Sequence, residues 1–233
     1  GQLLVGHLVG EVLAPGRRLA DLEQQPGRED TLVLEALERG YITFGTLTRA
    51  VRINQHTIEA WSEILRKVPT AKLVIDSSSY KDEMTQEGLL KKFDAQGIDR
   101  SRLQVGYHSP PWDVLRGLDI GLDCFPHNSG TTLYESLWMG LPVVSLRDRP
   151  SMGRVGALIL HGMGRDEWIA DSESEYLDKL VGLANDVPAL AAIRAGLREE
   201  MRVSRLCDAA DFTRRMEATY QQMWQRYCDG EQQ

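Results

Sequence analysis

Two stretches of this chain carry residues whose types and order suit the handling of a phosphate-bearing ligand. The first is Asn128-Ser-Gly-Thr-Thr132, with Glu135 one turn further on. It follows the short apolar run Asp119-Ile-Gly-Leu-Asp123, which reads as a buried strand, and opens directly into a helical pattern. A strand, a small-residue turn and a helix in that order leave the first helix amides without internal partners and aim them above the strand's end. Gly130 lets a ligand approach the backbone, while Thr131 and Thr132 add hydroxyl donors beside the positive end of the helix dipole. Phosphate is the natural guest of such a terminus. Glu135 falls on the same helix face as Thr131, where a carboxylate can accept both hydroxyls of a ribose, so the set points to a nucleotide. Thr132-Leu-Tyr-Glu135 also fits the Thr-x-x-Glu capping box, which needs no ligand, and spacing alone leaves both readings open.

The second stretch is Phe44-Gly-Thr-Leu-Thr-Arg-Ala-Val-Arg-Ile-Asn54, with Arg49 and Arg52 three residues apart in the turn after an apolar strand. In a doubly wound sheet ligands lie outside the carboxyl ends of the strands, so the turn from Thr48 to Arg52 and the turn from Asn128 to Thr132 are expected to face one crevice. Arginine always carries its charge and offers forked donors, which suits a diphosphate; the other reading is a pair of solvated loop arginines. His108 follows a strand, where a lone histidine is more often structural, and its other reading places it at the same crevice; His127, inside the strand-to-helix turn, reads as a binding or structural residue rather than a base.

These loops need a regular α/β frame, and from Tyr41 onward the pattern supplies one. Apolar runs at 41–45, 71–76, 102–106, 120–124 and 143–146 read as strands, with a further edge strand over 168–170. Between them lie helical stretches at about 54–68, 83–96, 112–118, 131–139, 153–161 and 172–184, followed by 188–202 and 209–227. Asn54 reads as a helix cap, and Gly97 as a helix stop. The stripes Leu190/Ile193/Leu197 and Phe212/Met216/Tyr220 read as packing faces. Residues 1–40 are the least regular, a poorly defined lead-in with a short helix expected over 31–39. A lobe over 41–205 and a carboxyl-terminal helix over 206–233 packed on it complete the expected organisation.

Composition narrows the function. The 233 residues are 42% hydrophobic, enough for a full core, and a net charge of -7 without a long basic run argues against nucleic acid. Cys124, Cys207 and Cys228 have no ligand-like spacing with the histidines, which signals neither zinc nor a disulfide framework and fits a reducing cytoplasm. No apolar run approaches a membrane span, and the start at Gly1 reads as a piece of a longer protein.

The order FGTLTRAVRIN, WSEILRKVP, LDIGLDCFPHNSGTTLYESLWMGLPVVSL, SMGRVGALIL, LREEM and a closing MWQRY, from about Tyr41 to Tyr227, resembles the carboxyl-terminal half of the catalytic region of O-linked N-acetylglucosamine transferases, including SPINDLY-like members. The resemblance implies the Rossmann-like, UDP-holding lobe of a GT-B glycosyltransferase with inverting chemistry, no required metal or other cofactor, and UDP-N-acetylglucosamine as donor. It implies a protein acceptor, an amino-terminal catalytic lobe and tetratricopeptide repeats beyond this chain. Arg52 stands where the family has a basic residue on the diphosphate and is the expected catalytic residue; Arg49 stands where a polar residue lies near the nucleotide. Thr131 and Thr132 match the family's phosphate-binding threonines, and Glu135 its ribose-binding acid. Gly130 replaces the histidine of animal members. The expected donor-binding set is Thr48, Arg49, Arg52, His108, Asn128, Ser129, Gly130, Thr131, Thr132 and Glu135. A UDP-sugar epimerase of similar two-lobed fold and a non-catalytic UDP-binding regulatory module are the rival readings.

Overall fold

The computed structural model of the chain describes Ala36 and residues 39–149 and 151–230; the lead-in before residue 36, including most of the helix expected over 31–39, lies outside them. Six strands form one parallel sheet: β1 (Thr43–Thr46), β2 (Lys72–Asp76), β3 (Leu103–Gly106), β4 (Ile120–Leu122), β5 (Val143–Leu146) and β6 (Ile169–Ala170). Their spatial order is β3-β2-β1-β4-β5-β6, the doubly wound Rossmann-like order. Burial explains why the strands read as apolar runs rather than alternating patterns, since β1 and β5 are buried at every position, as strands covered on both faces must be.

The crossovers are α1 (Gln55–Lys67), α2 (Glu83–Asp94), α3 (Trp112–Gly117), α4 (Thr131–Trp138) and α5 (Val155–Met163), followed by α6 (Glu173–Asn185), α7 (Val187–Val203) and α8 (Ala209–Cys228). Local chemistry sets their ends. Asn54, Asp82, Ser172 and Asp186 each accept a backbone amide two or three residues into the helix they precede. Gly97 after α2 and Gly164 after α5 take φ of 73° and 82°, left-handed positions where a side chain would be strained. Helix α1 buries Ile58, Trp61, Ile64 and Leu65 in the core that also holds Phe44, Ile75, Ile120 and Tyr176.

Three features differ from the sequence reading, each for a physical reason. Strand β4 stops at Leu122 instead of Cys124 because Asp123 turns inward to accept two loop amides. Helix α5 begins at Val155, after a tight turn over Ser151–Arg154 in which Gly153 fits against the Pro126 carbonyl, where a Cβ would lie 2.8 Å away. Helix α8 forms where its period placed it but has no buried residue, so the Phe212, Met216 and Tyr220 stripe does not pack on the lobe. A helical stripe shows that a face is apolar and is silent on what covers it.

Candidate functional site

The strand order reverses between β1 and β4, and the two loops singled out by sequence leave the carboxyl ends of those two strands. They touch. Arg52 Nη1 donates to the Asn128 carbonyl at 3.5 Å, Asn54 Nδ2 donates to the Phe125 carbonyl at 2.7 Å, and Thr57 Oγ1 donates to the same carbonyl at 3.1 Å. Beneath them the Thr48 hydroxyl lies 3.5 Å from Cys124 Sγ, and that thiol donates to the His127 carbonyl at 3.0 Å. Burial pushes the Cys124 thiol up to about 11, so it stays a neutral donor.

Helix α4 starts at Thr131 with Gly130 as its N-cap and no side-chain cap bond. That geometry removes the capping-box reading, because Thr132 lies inside the helix rather than at its cap. The Leu133 and Tyr134 amides both donate to the Gly130 carbonyl, whereas the amides of Gly130, Thr131 and Thr132 make no hydrogen bond among the described residues. Three adjacent uncommitted donors at a helix N-terminus are the arrangement that suits an anion, because dipole and hydrogen bonds would act together there. Thr131 is exposed and Thr132 half-buried, so both hydroxyls remain accessible to a ligand.

Arg52, on the Asn128 carbonyl, has its Nε buried and without a partner among the described residues, a donor that costs stability unless an acceptor arrives. Arg49, exposed, opens the same turn, its carbonyl accepting the Arg52 amide at 3.0 Å. Desolvation, then the Arg52 and Arg49 charges, lower the His127 imidazole below its usual value, so this ring is neutral at pH 7 beside two cations. Glu135 lies half-buried one turn along α4, with no donor among the described residues reaching its carboxyl, and burial pushes it up to about 7.

The remaining expected residues take other positions. Thr48 and Asn128 are buried and hold the loops together rather than facing outward; buried polar atoms have to be satisfied within the fold. Asn128 Nδ2 donates to the Cys124 and Leu146 carbonyls and its Oδ1 accepts the Gly156 amide at 3.3 Å, so both of its donor hydrogens are committed within the fold. The Ser129 amide donates to Asp123, which makes Gly130 the first free amide of the turn. His108 follows β3, three places along the sheet from β4, and its ring pairs with Asp76 at the end of β2. No hydrogen bond or ion pair joins it to Arg52 or to residues 128–132 among the described residues.

Sequence reasoning missed the supports of the site. Asp123 is buried under the turn, Tyr176 Oη donates to its carbonyl at 3.0 Å, and Trp61 Nε1 donates to Tyr176 Oη at 3.3 Å. A carboxylate closing an apolar strand was the available signal, since a buried charge requires partners. Helix α5 fits against this group only through Gly156. A Cβ there would collide with Ser145 Oγ and lie 2.8 Å from Asp123 Oδ2. Gly156→Ala is therefore expected to destabilise the fold by about 1–3 kcal/mol, the usual cost of overpacking. Urea melts check this, and an unchanged midpoint would show that α5 can move away freely.

The family model described as glycosyl transferase family 41 matches residues 35–216. The protein of Solanum lycopersicum described as a probable UDP-N-acetylglucosamine–peptide N-acetylglucosaminyltransferase SPINDLY is 33% identical over 200 residues, covering 84% of this chain and 22% of its own length. A Caenorhabditis elegans protein described as a UDP-N-acetylglucosamine–peptide N-acetylglucosaminyltransferase is 30% identical over 192 residues, 81% of this chain and 16% of its own. Among solved structures, a mutant O-GlcNAc transferase of Thermobaculum terrenum superposes with a TM-score of 0.77 at 30% identity, over 83% of this chain and 38% of that one. The chain thus spans about a fifth of the length of the curated relatives it matches.

Proposed function

The chain belongs to glycosyl transferase family 41, and we propose that it is the donor-binding half of an inverting, metal-independent enzyme that moves N-acetylglucosamine from UDP-N-acetylglucosamine to protein Ser/Thr hydroxyls. The observation that carries this reading is Arg52 on the Asn128 carbonyl, two residues before three uncommitted helix amides, where the sheet order reverses. Relatives named as peptide N-acetylglucosaminyltransferases support the donor and the acceptor class.

In the proposed step an acceptor oxygen bonds to the anomeric carbon as the bond from that carbon to the UDP oxygen breaks, and the electron pair leaves on the β-phosphate. Charge grows there. The amides of Gly130 to Thr132, the hydroxyls of Thr131 and Thr132 and the Arg52 guanidinium are fixed donors facing that charge, and such preorganised donors are usually the largest catalytic term. Glu135 would hold the ribose, and the neutral His127 would line the diphosphate. The acceptor site and the group that takes the acceptor's proton are assigned to an amino-terminal lobe.

This assignment makes a direct prediction for the 233-residue chain alone: it binds UDP in calorimetric titration with or without a chelator, and it transfers no sugar to peptides. Strict dependence on a divalent ion would overturn the metal-free clamp. Sugar transfer by this chain would overturn the division of labour, and release of an epimerised sugar nucleotide would overturn the reaction class.

A further inference from the structure

We infer that Asp123 is a positioning residue whose carboxylate closes the loop between β4 and α4, so that the amides of Gly130, Thr131 and Thr132 face the diphosphate of the donor. The inference rests on the reading of the site given above. Asp123 is the first residue after β4 and only 1% exposed. Its Oδ1 accepts the Cys124 amide at 3.0 Å and the Ser129 amide at 2.7 Å, so one oxygen pinches the two ends of the excursion through Phe125, Pro126 and His127. Its Oδ2 accepts the Ser145 hydroxyl at 2.6 Å, which fixes the carboxylate plane against β5.

The backbone of the same residue is also held, through the Tyr176 hydroxyl on its carbonyl. With Ser129 tied inward, the next three amides are the ones left without partners, so the carboxylate decides where the row of free donors begins. A buried carboxylate is a costly way to close a loop, because desolvation penalises its charge and pushes this carboxyl up to about 6. Such a group is usefully placed where loop geometry must be exact for binding, since a displacement of about 1 Å can cost 10²-fold in rate. An apolar residue in its place would leave two amides and one hydroxyl without acceptors.

The test titrates wild type, Asp123→Asn and Asp123→Ala with UDP and with uridine, which lacks the phosphates, alongside thermal melts. Asparagine keeps an oxygen for both amides and a polar partner for Ser145, and it is expected to hold UDP affinity within about threefold of wild type. Asp123→Ala is expected to lose about tenfold or more in UDP affinity with uridine affinity unchanged, because only the diphosphate donors move. An equal fall for both ligands, or no fall for UDP, overturns the inference as a general loosening or an irrelevant contact. A wild-type protein that does not prefer UDP to uridine overturns the reading of the site and the inference with it. Should Asp123→Ala not fold, Ser145→Ala decides: a fall of about threefold or more in UDP affinity alone supports the role, as expected when one of the three hydrogen bonds that fix the carboxylate is lost, and no change overturns it.

Discussion

Arg52→Ala in the full-length enzyme is expected to lower kcat by roughly 10²–10³-fold, the range seen when one preorganised donor facing a developing charge is removed. The donor KM should change much less. Among the described residues Arg52 holds the turn before α4 through one weak hydrogen bond, its Nη1 on the Asn128 carbonyl at 3.5 Å. Its Nε is buried without a partner among the described residues, so part of the fork is desolvated in advance of an acceptor. The negative charge it meets is largest when the bond to the leaving UDP is nearly broken, and an interaction that strengthens on the way to the transition state appears in kcat rather than in ground-state affinity. Arg52→Lys should recover part of the loss, since an ammonium supplies the charge without the forked geometry. Steady-state kinetics with a peptide acceptor make the measurement, and an unchanged kcat in Arg52→Ala removes the residue from the mechanism.

The parts of this site legible in the sequence are those governed by short-range order. The strand, glycine turn and helix over 119–139 lead one to expect free amides at the start of the helix, although it is the Asp123 carboxylate on Ser129 that sets Gly130 as the first of them, and the position of Glu135 follows from helical spacing. The parallel sheet was legible because β1 and β5, buried at every position, carry no exposed polar alternation, and the doubly wound order then placed both loops at one edge. What lies outside local order was not legible. Whether Asn128 points at a ligand or at the Cys124 and Leu146 carbonyls depends on where β5 passes beneath it. Thr48 and Asn54 reach partners 76 and 71 residues away, and Tyr176 reaches the Asp123 carbonyl across 53. No periodicity encodes such contacts. The exposed stripe of α8 marks the same limit from the other side, because amphipathicity predicted the helix and not its surroundings.

Glu135→Gln is expected to weaken UDP by about tenfold to a hundredfold at pH 8, the difference between two hydrogen bonds to a charged acceptor and two to a neutral one, while inorganic pyrophosphate is unaffected. The carboxyl is half-buried on α4 with no donor among the described residues, and burial raises it from its ordinary 4.5 to about 7. Its folded-state value lies above its unfolded one, so ionisation costs stability at high pH, and that cost disappears as pH falls from about 7 toward 4.5. Glutamine removes the cost, and the variant should be more stable than wild type at pH 8 by about 1–3 kcal/mol, with the gap closing by pH 5. Ligand affinity runs in the opposite direction. Ribose hydroxyls donate best to the ionised carboxylate, so UDP binding releases a proton from Glu135, and wild-type affinity gains over that of the variant as pH rises from about 6 to 8. UDP's own phosphate titrates near pH 6, but it does so equally against both proteins, and the difference between them isolates Glu135. Calorimetric titrations at pH 6 and 8, with melts at pH 5 and 8, make the comparison. A glutamine variant that is less stable at pH 8 while binding UDP as well as wild type would mean that this carboxylate serves the helix and not the nucleotide.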